Sequence, residues 1–357
     1  MNCNVAICHA RPGWPAADAA LFLFLAALLC GCTKSPTDQL QDYQQRVARV
    51  LELSPATSAA PPRVNRAAAV HNRLPLPDSA LNLLEYLSLS ECLMAAAVSE
   101  KNTSLAKVAA ASQTLPYELD ILRYGPQCVQ TLRAQDAALA DKLAQALASK
   151  KAARMHYWWN AWFSGLEWQA FTATAAAPLD WQDAEDAHLQ HGLEALDYAL
   201  AQGLAIERLQ WPTTSAMETR LQALLLSESA GRWLASQWLL TRTLNDVAAL
   251  LQQRQQQRPL CPMGRRTPKA EILNNVFVKI YAARVQPYLA RTDRAGRQLL
   301  ERLTAIEQRM QGTVLPPAFT QWLAAVHQAR AAFLAANQRH IQAWQATLRA
   351  CELMPGG

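Results

Sequence analysis

Residues 316–351, PPAFTQWLAAVHQARAAFLAANQRHIQAWQATLRAC, decide the fold class of this chain. After the two prolines, apolar side chains recur at helical spacing and form one stripe: Phe319, Trp322, Leu323, Val326, Ala329, Phe333, Leu334, Ile341, Trp344, Leu348 and Cys351. Such a stripe is typical of an amphipathic helix that buries one face. Proline suits the first helical turn, where an N–H has no partner within the helix. The sequence therefore predicts one long C-terminal helix.

The same period continues towards the N-terminus. A first stripe follows the cap at Ser35, and a helix of about twenty residues, apolar nearly all round, is predicted after Asp78. Breaks are predicted at Gly125-Pro126, at residues 176–178, at Trp211-Pro212 and in the loop 260–268. No stretch alternates apolar and polar residues over the length of a strand. The predicted fold is an all-α, multi-helix bundle without a sheet.

Composition limits the class of protein. Hydrophobic residues make up 51% of the chain and charged residues 17%, so a sizeable core is available and disorder is not expected. The net charge of +6 is modest and spread out. It favours contact with anionic phospholipid surfaces and is too weak to indicate a nucleic-acid partner.

The N-terminal segment predicts a location. Residues 21–32, LFLFLAALLCGC, form a short apolar run that ends in a sequence resembling the bacterial lipobox. We expect residues 1–31 to be a lipoprotein signal peptide and Cys32 to be acylated as the first mature residue. An amphipathic N-terminal helix and a transmembrane anchor are the alternatives, disfavoured by the absence of a polar face and by the short length. Residues 32–357 then form a single α-helical domain, with a candidate subdivision near residues 176–180.

Cysteine arithmetic predicts two disulfides. Besides Cys32, the expected mature chain has Cys92, Cys128, Cys261 and Cys351, an even number in an oxidising compartment. Three pairings are open. We favour Cys92–Cys128 with Cys261–Cys351, because each pair joins neighbours along the chain. No Cys-x-x-Cys occurs, so neither a thioredoxin-like motif nor a zinc knuckle is indicated.

Several short segments occur together in a characteristic order. After the lipobox they are DQLQDY at 38–43, LSLSEC at 87–92, EKNTSL at 100–105, CPMGRRTPKA at 261–270 and VQPYL at 285–289. In this combination the chain resembles an uncharacterised family of bacterial lipoproteins, a domain of unknown function similar to DUF3080. The resemblance implies a cell-envelope protein. It implies no activity and carries over no catalytic residue.

Two surface candidates come from aromatic and basic residues. The run 155–163, MHYWWNAWF, lies in a helix predicted over 152–172, and most of its aromatic side chains are interpreted as core. Tyr157 and Trp168 lie on another face, which is either a ligand or partner surface or an interhelix contact. Arg265 and Arg266 form a small basic loop beside Cys261, suited to lipid headgroups or an acidic partner, with a solvated loop as the favoured interpretation.

Glu185, His188 and His191 are the best metal candidate in the sequence. Glu185 and His188 have the i, i+3 spacing of di-iron bundles, but such a site needs a second Glu-x-x-His pair and two more glutamates, and no other histidine of the expected mature chain has an acidic residue three positions before it. A solvated helix face is the favoured interpretation, and no metal or other cofactor is expected.

The predicted function is that of a non-enzymatic interaction or assembly factor. We expect a membrane partner through the lipid on Cys32, an envelope protein partner and no nucleic acid. In the lipoproteins that the segment resembles, a residue other than aspartate after the cysteine, here Thr33, indicates the outer membrane, facing the periplasm. The alternative is a periplasmic enzyme acting on cell-wall or glycan substrate in a cleft, which would require two convergent carboxylates.

Overall fold

The computed structural model describes residues 34–55, 69–77, 83–173, 177–182 and 187–354, and its regular elements are helices throughout this part of the chain. No strand occurs in these ranges. Two disulfides join helices and loops that are distant in sequence. The predicted all-α, disulfide-stapled bundle is confirmed.

Helix α1 (Pro36–Leu51) begins with a complete capping box. The Ser35 hydroxyl accepts a hydrogen bond from the Asp38 N–H at 3.2 Å, and the Asp38 carboxylate accepts one from the Ser35 N–H at 3.1 Å. These contacts satisfy N–H groups that a helix leaves without partners at its start. The buried face of α1 is the predicted one: Leu40, Tyr43, Val47 and Leu51. The cap at Ser35 therefore fixes where α1 begins.

The next helices enclose a small core. They are α2 (Leu83–Leu87), α3 (Met94–Lys101), α4 (Ser104–Val108), α5 (Ala111–Arg133) and α6 (Ala137–Ala152). We call the following buried residues the small core: Leu89, Cys92, Met94, Ala97, Ile121, Cys128, Leu132, Leu139, Ala140, Leu143 and Leu147. They come almost entirely from α3, α5, α6 and the turn before α3.

Two sequence predictions fail in this region. The single helix predicted after Asp78 is interrupted by turns between α2 and α3, where Cys92 lies and pairs with Cys128. Asp78 itself lies outside the described residues. The break predicted at Gly125-Pro126 is absent, because α5 passes through both residues. Gly125 lies against Leu147, whose Cδ2 would be 2.5 Å from an added Cβ, so the glycine allows α5 and α6 to approach closely beside the proline.

The remaining helices complete the bundle. They are α7 (Arg154–Phe163), α8 (Leu166–Phe171), α9 (Ala187–Glu207), α10 (Met217–Ser227), α11 (Ser229–Gln257), α12 (Pro268–Val276), α13 (Gln286–Arg309) and α14 (Pro317–Ala350). The most extensive contact between two helices is that of α11 with α14. The long predicted C-terminal helix is α14.

A π-helical segment, Phe277–Val285, joins α12 to α13. The sequence predicts that Pro287 kinks or ends the helix there. The backbone instead stays helical to Arg309, with widened turns directly before the proline. Proline has no N–H and crowds the preceding turn, so a wider turn removes the clash without ending the helix.

Helix α1 and helices α7–α14 share one large core rich in aromatic side chains. Several of its buried indoles have hydrogen-bond partners: Trp158 donates to the Ala199 carbonyl at 2.9 Å, and Trp162 donates to the Gln202 side chain at 2.7 Å. Buried indole N–H groups cost free energy unless they are paired in this way. These indole hydrogen bonds therefore join neutral groups of neighbouring helices.

Each core has its own disulfide. Cys92 and Cys128 lie in the small core, with Cα atoms 5.2 Å apart and 36 residues between them in sequence. Cys261 and Cys351 belong to the large core, also with Cα atoms 5.2 Å apart and a separation of 90 residues. Of the three pairings open from the sequence, the structure has the favoured one.

Candidate functional site

A cavity of about 250 Å³ opens beside the small core, between α3, α5 and α6. We call it the lysine cavity, because three lysines line it together with mainly apolar side chains. Its lining residues are Tyr86, Met94, Val98, Lys101, Asn102, Ile121, Lys142, Leu143, Ala146, Leu147 and Lys150. An apolar floor with a few convergent polar groups is the usual composition of a small-molecule site.

Helix ends position two of these lysines. Lys101 is in the last turn of α3, and Lys150 is in the last turn of α6. The C-terminal end of a helix carries partial negative charge from its unpaired carbonyl groups, so it favours an ammonium group there. Lys142, Ala146 and Lys150 follow one another at intervals of four residues along α6, which places them on one face.

Glu118 joins the two lysines from α5. Its Oε1 lies 2.6 Å from Nζ of Lys101, and its Oε2 accepts a hydrogen bond from Nζ of Lys150, also at 2.6 Å. The Glu118 and Lys150 side chains are only 5% and 7% exposed. A buried charge needs a partner at this range, because desolvation of a lone charge is very costly. The cluster therefore depends on all three groups.

Tyr157 completes this cluster from α7. Nζ of Lys150 donates to its hydroxyl at 3.2 Å and lies 5.2 Å from the centre of its ring. Burial raises the pKa of the Tyr157 phenol well above its ordinary value, and the nearby Glu118 carboxylate raises it further while Lys101 lowers it. The phenol is therefore a neutral hydrogen-bond partner. Of the two interpretations left open for Tyr157, the structure supports the interhelix contact, since the residue is 6% exposed and its hydroxyl contacts Lys150 of α6.

Lys142 stands on the open side of the cavity. Its Nζ donates to both carboxylate oxygens of Glu85, at 2.6 and 2.7 Å. The Lys142 side chain is 48% exposed and the Glu85 side chain 21% exposed, so this ion pair is partly solvated and contributes less than a fully buried one. The ion pair with Lys142 joins Glu85 of α2 to α6.

The composition of this site is suited to an anion next to an apolar surface. Among the described residues that form or support the cavity there are three ammonium groups and two carboxylates. The ammonium groups are those of Lys101, Lys142 and Lys150, and the carboxylates are those of Glu85 and Glu118. Both carboxylates accept hydrogen bonds from lysines. A general acid and base on a glycan would need two carboxyl groups facing the substrate, and these two are engaged elsewhere.

Trp168 is not a surface residue either. It is 2% exposed and packs edge-on against Phe163 and Trp322, with ring centres 5.0 and 5.5 Å apart. The helix predicted over 152–172 breaks at Ser164 and Gly165, so α8 turns Trp168 into the large core and leaves Leu166 exposed. Interhelix contact, the second interpretation left open from the sequence, is the one that the structure supports.

Arg265 and Arg266 are exposed in the loop before α12, as a basic loop requires. Arg266 donates a hydrogen bond to the backbone carbonyl of Glu352, which follows Cys351. Lys269 pairs with Glu52 nearby. Part of this basic charge therefore ties the loop to the C-terminus of α14 and of α1, beside the Cys261–Cys351 disulfide. The loop and the lysine cavity belong to different cores.

The metal candidate is only partly visible. His188 and His191 are exposed on α9, and Glu185 lies outside the described residues. Within the described ranges, no three histidine, cysteine, aspartate or glutamate side chains come close enough to hold a metal ion. Cys32 also lies outside these ranges. No helix in the part of the chain that the structure describes is long and apolar enough to cross a membrane.

Sequence reasoning missed Lys101, Glu118, Lys142 and Lys150. A signal for two of them exists, since Lys142 and Lys150 interrupt what is otherwise an apolar and alanine-rich face of α6. Their convergence with Glu118 could not be derived, because it depends on α5 continuing through Pro126 and on the packing of α3 against α5.

Fold and site together define a class: an all-α, disulfide-bonded domain with a cationic, apolar-floored cavity in its smaller core. The family model described as "Protein of unknown function (DUF3080)" matches residues 40–355, and the chain belongs to this family. Comparisons with curated proteins and with solved structures give no match.

Proposed function

We propose that this chain is a non-enzymatic lipoprotein of the bacterial cell envelope, tethered to the outer membrane by acylated Cys32 and acting there as an interaction or assembly factor. The observation that carries the proposal is the position of Ser35. As the N-cap of α1, this residue begins the described fold only three residues after Cys32.

This spacing limits how far the folded body can stand from an anchor. Three residues span at most about 11 Å when fully extended. One face of helix α1 is buried along the helix, so the start of α1 cannot move outward without loss of core contacts at Leu40 and Tyr43. A protein anchored at Cys32 would therefore rest on the membrane surface, where its positive charge favours anionic headgroups. Two acyl chains are sufficient for stable anchoring.

Binding is favoured over catalysis by the state of the cavity carboxylates. Glu118 is shared by two lysines, and Glu85 is held by Lys142. An enzyme acting on cell-wall glycan, the alternative, would have to use carboxylates other than these. A scaffold that presents a ligand or a partner surface needs none.

The test compares two neighbouring cysteines. Cys32→Ala should abolish acylation and move the protein out of the membrane fraction, because the acylated position is lost. Cys30→Ala is the matched control: it keeps a small residue two positions before the acylated cysteine, so acylation and fractionation should remain normal. Both are measured by metabolic labelling with a clickable fatty acid and by fractionation. Labelling that persists in Cys32→Ala, or is lost equally in Cys30→Ala, would overturn the proposal.

A further inference from the structure

We infer that the lysine cavity binds an anionic amphiphile, a carboxylate or phosphate head carried on a single alkyl chain. This inference goes beyond the proposed function and does not depend on a lipid at Cys32. It rests on three properties of the small core: the size and chemistry of the cavity floor, the three lysines that line the cavity and the exposed leucines that adjoin lining residues in the chain.

The floor fits an alkyl chain. Met94, Val98, Ile121, Leu143 and Leu147 supply flexible or aliphatic side chains and no hydrogen-bonding groups. A cavity of about 150 Å³ is known to accommodate the six carbons of benzene, so about 250 Å³ accommodates roughly ten carbons. Burying a chain of this length is favourable, at about 0.8 kcal/mol for each methylene removed from water.

The rim fits an anionic head. Lys101, Lys142 and Lys150 converge from two helices on one opening, against the two carboxylates that pair with them. The buried Lys150–Glu118 pair keeps its geometry, because Tyr157 also contacts Lys150 and Lys101 also contacts Glu118. The half-exposed Lys142 can turn from Glu85 to a ligand, since a solvated ion pair contributes little. An anion would thus complete the charge balance, and a cation would meet like charge.

The mouth has apolar neighbours. Leu87, Leu93 and Leu105 are 57%, 65% and 78% exposed. Leu87 and Leu93 directly adjoin Tyr86 and Met94 of the cavity lining in the chain. Leu105 follows three residues after Asn102, another lining residue. Single exposed leucines are common, but three that adjoin lining residues in the chain place exposed apolar side chains in the same segments as the cavity.

The experiment uses photoreactive ten-carbon probes on the full chain in nanodiscs of phosphatidylcholine. Two anionic probes carry a diazirine on the chain, one with a carboxylate head and one with a phosphate head, which separates the two sources of negative charge. A trimethylammonium probe with the same chain tests the charge, and inorganic phosphate as a competitor tests the head without a tail. Crosslinked peptides are mapped by mass spectrometry, and affinity is obtained by competition with the unlabelled anion.

We expect anionic probes to label peptides of α3, α5 and α6 around the cavity, and the cationic probe to label them at least tenfold less. Ala146→Phe fills the cavity from α6 and should reduce labelling at least tenfold. Ala148→Phe, on an exposed position of the same helix, is the matched control and should leave labelling unchanged. Lys142→Gln should weaken binding about fivefold, as expected for one solvated charge.

Three results would overturn the inference: equal labelling by anionic and cationic probes, labelling of the cavity that Ala146→Phe does not reduce, or full competition by inorganic phosphate at the concentration of the alkyl anion. The fold of each variant is checked by circular dichroism and by mapping both disulfides. Preference for one anionic head over the other identifies the carboxylate or the phosphate as the natural head, and either result supports the inference.

Discussion

The large core and the small core differ in how they bury polar groups. In the large core most buried polar side chains are neutral; the charged one, Asp246, accepts a hydrogen bond from the Gln44 side chain at 3.1 Å. The indole N–H of Trp344 donates to the Tyr43 hydroxyl at 2.9 Å, and the same hydroxyl lies 2.8 Å from Nε2 of His340. The small core instead buries a full ion pair, Lys150 with Glu118, next to an open cavity.

This difference separates a scaffold from a site. Neutral hydrogen bonds fix the packing of α1 against α14 and need no contact with solvent. A buried ion pair is a poor way to stabilise a fold, because desolvation offsets most of its attraction, and apolar residues of similar size serve as well. A charged cluster in the smaller core therefore fits a role in holding a ligand. Stability of the whole molecule is then expected to come chiefly from the large core.

Removing the disulfides tests this division at its largest scale. The double variant Cys261→Ser/Cys351→Ser should lower the free energy of unfolding by about 5 kcal/mol, because it frees a loop of 90 residues in the unfolded chain. Cys92→Ser/Cys128→Ser should cost about 4 kcal/mol for its loop of 36 residues. Denaturant unfolding of both variants measures the two values.

The position of the loss is as informative as its size. Hydrogen exchange in the Cys92→Ser/Cys128→Ser variant should increase in α3, α5 and α6 and stay low in α11 and α14, since the affected disulfide lies in the small core. Equal loss of protection in α11 and α14 would show that the two cores unfold as one unit, and the proposed division of roles would fail.

The ion cluster gives the next largest effect. Glu118→Ala leaves the Lys150 ammonium buried without its partner and should cost about 3–5 kcal/mol. Glu85→Ala, the matched control, removes the partner of the half-exposed Lys142 and should cost no more than about 1 kcal/mol. Both are measured by denaturant unfolding.

A double variant separates the buried charge from the packing. Glu118→Leu/Lys150→Met replaces both charges by apolar side chains and should recover most of the stability lost in Glu118→Ala, with Lys101 turning to solvent. If this variant is as unstable as Glu118→Ala, the ion pair itself stabilises the small core, contrary to the comparison above.

The sequence predicted the large core better than the small one. The stripe of α14, the cap of α1 and both disulfides follow from helical periodicity, capping chemistry and the number of cysteines, which are local signals. The small core has weaker signals. Its helices are short or interrupted by proline, and Gly125-Pro126 reads as a break unless the contact of Gly125 with Leu147 is known.

Most contacts of the candidate site could not be predicted from local sequence patterns, because they depend on tertiary packing. Tyr157 was selected for its position on a helix face, and its actual contact with Lys150 depends on how α7 meets α6. Glu118 is one of many glutamates in the chain, and only tertiary packing makes it the partner of two lysines. For Trp168 the sequence left a surface and an interhelix contact open, because a helix continuing to residue 172 does not show that α7 ends at Phe163 and α8 begins after Gly165.

The smallest effect, and the finest test of the large core, is the pH dependence caused by His340. Burial lowers the pKa of His340 to about 3, against about 6.5 in an unfolded chain. The neighbours that face its ring are Tyr43 of α1, Tyr281 of the π-helical segment and Trp344 of α14, none of which is an anion able to stabilise an imidazolium. The folded protein therefore keeps the imidazole neutral.

The sign follows from proton binding. Between pH 6.5 and about pH 3 the unfolded chain binds a proton at His340 and the native protein does not, so stability falls as the pH falls through this range. At pH 5 the loss should be about 2 kcal/mol relative to pH 7. Below about pH 4.5 carboxylates such as Asp42, whose pKa the Arg46 side chain lowers through a hydrogen bond, add their own loss of stability.

The measurement is denaturant unfolding between pH 7 and pH 5. His340→Gln should remove this loss, whereas His327→Gln, on an exposed position of the same helix, should retain it. A wild-type protein equally stable at pH 7 and pH 5 would mean that the His340 site opens to solvent, and the large core would then not be the sealed scaffold that distinguishes it from the small one.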